Sequence, residues 1–249
     1  MKRTLWISVM MLSAHLFAQS VVPAGTIIPI GLNSSLNSRK ARPGQVISGR
    51  VMQDVPLSPG WKIRAGAKLI GHVIDVKPAA DARGGQLSLR FDTLVESKQR
   101  TSITTDVRAL ASAMAVEEAQ IPVSGPDRGT SPAAWTTNQI GGEVVYRGGG
   151  PVANGLRSVG EPTYGGVLVH VSAKPGTKCR GEIDDNDRLQ ALWVFSSDAC
   201  GTYGFADLAI IHAGRDNPIG EITLTSTKGD VNVRAGSGML LRVNSTIQP

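Results

Sequence analysis

The residues able to do chemistry in this 249-residue chain are few and scattered. Cys179 and Cys200 are the only cysteines, so a single pairing is possible. Zinc would need about four ligands, and neither a CxxC nor an HxxxH spacing accompanies them. Beyond residue 20 the histidines are His72, His170 and His212, each inside an apolar strand pattern. A lone strand histidine is usually a packed or hydrogen-bonded residue. His170 and His212 fall in the same C-terminal stretch, close enough in pattern to be considered as neighbours. Ser and Asp are plentiful, yet no GxSxG elbow or HExxH helix is present. Asp184, Asp185, Asn186 and Asp187 form an acidic turn between the cysteines. Calcium loops use such oxygen clusters, but the DxDxDG spacing and its closing Glu are missing, so the segment reads as a solvated hairpin turn. The glycine runs Gly141-Gly142 and Gly148-Gly149-Gly150 lack the Lys-Ser/Thr and the following helix of a phosphate cradle. The reading is therefore non-enzymatic, with no cofactor and no metal.

Compartment decides what the cysteines mean. Met1 to Ser20 has a basic start at Lys2 and Arg3, an apolar Leu5 to Phe17, and the small-residue triplet Ala18-Gln19-Ser20. This is the pattern of a cleaved secretory signal peptide, too short for a membrane span. No later stretch is long and apolar enough to cross a bilayer as a helix, so no transmembrane segment is expected after cleavage. The chain is expected in the periplasm or outside the cell, with outer-membrane association as one destination. In an oxidising compartment Cys179 and Cys200 are expected to form a disulfide. It would close a loop of about 22 residues and stabilise by roughly 3 kcal/mol in the chain-entropy account.

The elements that must position any site are strands. With 29 Gly and 14 Pro, a helical bundle is excluded, and 41% hydrophobic with 18% charged residues fits a globular chain. From Val21 to about Leu110, alternating segments recur between turn clusters: Gly25 to Leu32, Val46 to Met52, Lys68 to Val76, Gln86 to Leu94 and Arg100 to Val107. Ala109 to Glu118 is the one helical pattern. Residues 111–166 read as a Gly/Pro-rich connector carrying that short helix and one strand, Glu143 to Tyr146. From Val167 strands return, and Glu221 to Thr225, Asp230 to Arg234 and Met239 to Val243 have links short enough for an antiparallel meander. The expected class is all-β: a signal peptide (1–20), a small β-barrel or sandwich domain (21–110), the connector, and a disulfide-tied antiparallel β domain (167–249).

Residues 21–110 hold 13 Lys+Arg against 6 Asp+Glu, and residues 111–249 hold 11 against 14. Arg39, Lys40, Arg42, Arg50, Arg64 and Lys68 define a basic partner face, suited to anionic envelope lipid or glycan; the plain alternative is a solvated surface. Nucleic acid is not expected, because stacking platforms need grouped aromatics and these are scattered. A small glycan contact is drawn from Trp193, Tyr203 and Trp135, with Tyr146 and Tyr164 as further aromatics.

One stretch carries a resemblance. Val22 to Pro29 (VPAGTIIP), Leu36-Asn37-Ser38, Pro43-Gly44-Gln45-Val46, Val51, and Ile63 to Gly71 (IRAGAKLIG) follow in fixed order. Over residues 22–94 this resembles the carboxyl-terminal β-barrel of the TrbI family, the outer-membrane-core scaffold of type IV secretion and conjugation machines. The resemblance implies a barrel in which each Pro-x-Gly turn feeds a strand and Gly71 permits close packing. That family's cytoplasmic tail, inner-membrane helix, Pro-rich stretch and apolar helical hairpin have no counterpart here, and residues 111–249 match nothing in it. Ala24-Gly25-Thr26 is also similar to the start of SAF-type modules, over a shorter length. The resemblance implies a structural or assembly role through protein–protein contacts with envelope proteins. A glycan- or peptidoglycan-binding module is the alternative, and an envelope hydrolase resting on His170, His212 and the acidic turn is third.

Overall fold

A computed structural model describes residues 22–58, 60–81, 83–123, 135–146, 149–172, 188–213 and 217–245. The expected signal peptide, Cys179 and the acidic turn lie outside the described residues. The chain is mostly β with one short helix, as expected, and its largest sheet is a nearly closed barrel.

The first half supplies β1 (Ile27–Leu32), β2 (Leu36–Asn37), β3 (Val46–Val51), β4 (Val55–Ser58), β5 (Trp61–Ile63), β6 (Lys68–Lys77), β7 (Gln86–Glu96), β8 (Gln99–Ser102) and β9 (Thr104–Ala111). Helix α1 (Ala113–Gln120) follows. Then come β10 (Thr136–Asn138), β11 (Val144–Tyr146), β12 (Val152–Asn154), β13 (Arg157–Thr163), β14 (Gly166–Val169) and β15 (Gln190–Ala191). The last group is β16 (Gly201–Tyr203), β17 (Leu208–Ala213), β18 (Ile222–Ser226), β19 (Asn232–Val233) and β20 (Gly238–Ser245).

Period-two alternation places the barrel interior. On β7, Leu87, Leu89 and Phe91 point inward; Asp92 is then an extra residue in the ladder, and the inward series resumes at Leu94. These pack with Ile28, Ile30, Leu69, Met239, Leu241 and Val243 in one core. The ten-stranded sheet runs β16-β9-β20-β1-β3-β6-β7-β18-β17, with β8 on β7. Its ends are drawn together by the Thr202 hydroxyl, which donates to the Leu208 carbonyl at 2.8 Å. Halfway along, Ile103 N–H donates to the Asp92 carbonyl and Thr105 Oγ1 to the Phe91 carbonyl, so β9 also meets β7.

A second sheet, β10 to β15 in sequence order, is antiparallel throughout. It covers the outer face of β1, β9 and β20. Ile27, Ala109, Ala111 and Leu240 leave the barrel side and pack with Val145, Val152, Val167 and Val169 of this sheet and with Val116 and Ala119 of α1.

Three expectations change. The helix begins at Ala113 rather than Ala109, because Ala109 and Ala111 pair with β20 and Ser112 caps the helix, its Oγ accepting from Ala115 N–H. The stretch 111–166 is not a connector with one strand but holds β10, β11, β12 and β13. The three last expected strands do not form a meander of their own. β18 pairs with β7 and β17, β19 with β2, and β20 lies between β1 and β9. Strands placed by sequence in a second domain thus complete the first sheet.

Candidate functional site

A cleft of about 630 Å³ opens between the end of α1, the second sheet and the stretch that follows β15. Ala119 and Gln120 at the end of α1 form one wall, and Thr137, Gln139 and Val145 another. The turn from β13 to β14 closes a third side, and Trp193 and Val194 form the floor.

The floor is held in place by two buried glutamines. Trp193 sits at φ 52°, a left-handed conformation that costs free energy for a residue with a side chain. Its N–H donates to Gln53 Oε1, while Gln53 Nε2 donates to the Val167 carbonyl at 3.0 Å. On the other side Gln139 Nε2 donates to the Trp193 carbonyl at 2.7 Å. The indole lies over Gly238 beside Val116 and Phe195, where a Cβ at Gly238 would stand 3.0 Å from the ring. The cleft therefore has a rigid aromatic floor on the barrel wall. Gly166 has the same logic: a Cβ there would overlap Gln53 Oε1 and stand 2.6 Å from Trp193 Cα.

Around the mouth several exposed side chains are apolar, beside the exposed polar Gln120 and Thr163. Tyr164, at the tip of the β13–β14 turn, is 94% exposed, and Ile121, directly after α1, is 57% exposed. Val123 N–H donates to the Thr136 carbonyl, and Thr136 faces Tyr146 in the ladder, so Val123 and Tyr146 join the same end. Trp135 precedes Thr136 and belongs there too. Of the aromatics expected to contact glycan, Trp193 is in the cleft and Trp135 lies at this end of the second sheet. Tyr203 is not in the cleft: it is on β16, where its hydroxyl accepts the Cys200 N–H at 3.0 Å. Gln53 and Gln139 were not singled out by the sequence, since nothing local distinguishes a clamping amide from a surface one.

Behind the cleft lies a buried polar clamp. Glu143 is 1% exposed, and its carboxylate accepts both the N–H and the hydroxyl of Ser197. Burial pushes its pKa up, the Ser197 hydrogen bonds pull it partly back, and nearby Asp198 adds to the rise. Arg108, 4% exposed, donates Nε to the Ala199 carbonyl and Nη2 to the Ser172 and Ser197 carbonyls. Together they pin the loop that leads to Cys200. A raised folded-state pKa means that stability from Glu143 is full in acid, below the ordinary value of 4.5, and is lost as pH rises toward the folded value. Glu143→Gln keeps a donor and an acceptor for Ser197. It is therefore expected to raise the melting temperature relative to wild type at pH 8 by more than at pH 4.5. Melts at both pH values check this, and an equal difference at the two would contradict it.

The histidines do not assemble. His72 Nδ1 lies 3.0 Å from Asp92 Oδ2 on the outer barrel face, His170 follows β14 in the second sheet, and His212 is on β17 of the barrel sheet. His170 and His212 thus belong to different sheets. Among the described residues no group of three or more His, Cys, Asp or Glu is arranged to hold a metal ion. Cys200 is buried and no described cysteine is free. The expected basic face divides along β3. Arg39, Lys40 and Arg42 precede its start, and Arg39 pairs with Asp230 at 2.7 Å. Ala79 N–H and Arg39 hold the Asp230 carboxyl below its usual range. Arg50, Arg64 and Lys68 gather at the other end.

Fold and site together define an all-β protein whose barrel is overlaid by an antiparallel sheet, with a cleft between that sheet and the end of the helix. No family model matches the chain, and no curated protein matches it.

Proposed function

We propose that this protein is an exported, non-enzymatic component of a bacterial envelope with a structural or assembly role, built on a TrbI-like barrel and acting through protein–protein contacts. The observation that carries the reading is the cleft with exposed apolar side chains grouped near its mouth. Ile121, Val123, Tyr146 and Tyr164 expose apolar surface around one opening, and grouped exposed apolar surface marks interaction sites. A segment of a partner protein entering the cleft would bury that rim against a floor that is already rigid, which limits the ordering cost of binding.

A second reading, a glycan- or peptidoglycan-binding module, has its own observation. Trp193 and Tyr164 share the cleft with the polar side chains of Thr137, Gln139 and Gln120, a combination suited to a sugar's apolar faces and hydroxyls. A photo-crosslinking amino acid at position 164, expressed in intact cells, separates the two. A reproducible adduct with an envelope protein, lost in Ile121→Asp, is the expected result. Adducts with glycan fragments would favour the second reading, and no adduct of either kind would overturn both.

A further inference from the structure

The barrel end opposite Arg39–Arg42 carries a second surface, and we infer that it docks on an anionic lipid membrane. Four structural features converge there. β3 finishes with Arg50, the β4–β5 hairpin projects with Lys62 and Arg64, β6 starts with Lys68, and the turn from β7 to β8 brings Lys98 and Arg100. The ladder aligns Gly31, Arg50, Lys68, Val95 and Arg100 in one row across five strands. With strands about 4.8 Å apart, Arg50 and Lys68 are direct neighbours and Arg100 stands about 10 Å further on. Like charges directly opposite one another destabilise a sheet, and no acidic residue interrupts this row.

The nearby carboxylates are already engaged. Asp54 pairs with Lys62 at 2.6 Å and accepts the Ala65 N–H, and Glu96 accepts the Arg64 N–H at 3.0 Å. Asp92 is bonded to His72. Among the described residues, Arg50, Lys68 and Arg100 take part in no ion pair. The end thus offers more cationic donors than the protein satisfies.

Trp61 decides the kind of partner. It stands at the tip of the β4–β5 hairpin and is 49% exposed. Tryptophan is favoured at the membrane–water interface, where its ring sits at headgroup depth, and nearby Lys and Arg side chains are attracted to an anionic leaflet. The hairpin that carries Trp61 follows β3 and leads into β6, the two strands that bear Arg50 and Lys68, and the proposed docking brings both features to the membrane. No helix among the described residues is long and apolar enough to cross a membrane, and this contact requires none.

The test uses the purified chain starting at Val21, which retains every described residue. Vesicles of phosphatidylcholine with one part in three phosphatidylglycerol are compared with pure phosphatidylcholine by co-sedimentation. Binding to the anionic vesicles that is lost at high salt is expected. The double variant Arg50→Glu/Lys68→Glu is expected to bind about tenfold more weakly or worse, and Arg50→Lys/Lys68→Arg to bind as wild type. Brominated lipid should quench Trp61, and Trp61→Phe should remove that quenching. Circular dichroism confirms that each variant is folded. Equal binding to both vesicles, no binding at low salt, or undiminished binding by the folded double variant would overturn the inference. So would retention on an anionic polysaccharide without binding to vesicles.

Discussion

A fragment containing residues 22–111 is expected to be unfolded at 25 °C, although it includes every strand from β1 to β9 and the whole stretch that resembles a TrbI-like barrel. The reason is the position of β20. It pairs with β1 through Ile27–Gly31 and with β9 through Thr104–Ala111, so its removal exposes both ladders. The interior loses more than hydrogen bonds. Ile222, Leu224, Val231, Val233, Met239, Leu241 and Val243 are all fully buried and all absent from the fragment. At about 1.5–3 kcal/mol for each buried side chain, the loss is about 10–20 kcal/mol, as large as the net stability of a typical domain, about 5–15 kcal/mol. Far-UV circular dichroism and proton NMR dispersion of the fragment, beside the chain from Val21, measure it directly. A cooperative thermal transition in the fragment would show that the first nine strands close without the rest.

Gly71→Val is expected to be severely damaging to the barrel. At this point of β6 the ladder to β7 shifts register, and the strands come unusually close. A Cβ on residue 71 would overlap the Arg90 carbonyl oxygen and stand 3.0 Å from Phe91 Cδ1. The first obstacle is backbone held in a ladder, so it cannot swing aside as a side chain could. Overpacking costs about 1–3 kcal/mol when side chains can adjust. Gly71→Ala should therefore reach about 3 kcal/mol, a fall of roughly 6–12 °C in melting temperature for a chain of this size. Val should exceed it and leave little soluble protein. Val46→Ala, exposed on the adjacent strand, serves as the control, with a change within about 0.5 kcal/mol. Equal melting temperatures for Gly71→Ala and wild type would show that the two strands can separate at no cost.

Gly71 was legible in the sequence because a glycine that interrupts a strong strand pattern weakens the strand and is placed where another backbone comes close. The strands β1, β3, β6 and β7 were legible too, as apolar segments between turn clusters, with clean alternation on β7 and apolar residues on both faces of β6. The second sheet was largely hidden. β10 is Thr136-Thr137-Asn138 and β13 contains Pro162 and Gly160, so neither shows an apolar face. They are strands because neighbours pair with them, and those neighbours are themselves short. The partners of β18 and β20 were hidden for another reason: pairing across more than a hundred residues leaves no local trace, while the short links suggested a meander. At the cleft, Trp193 stood out as a rare aromatic. Glu143 and Arg108 did not, because a buried charge on a strand has the same spelling as an exposed one.

The meeting of Ile27 with Arg242 also sets the order in which the chain can fold. It closes a loop spanning nearly the whole described sequence, at an entropic cost of about 5 kcal/mol before any contact rewards it. Chains dominated by such distant pairings fold slowly, on the scale of milliseconds to seconds or longer. During synthesis β1 and β9 each keep one edge open, the edge that β20 will take, until β20 has left the ribosome. The waiting chain carries the hazards of exposed strand edges, and the finished barrel is sealed by its last described strand.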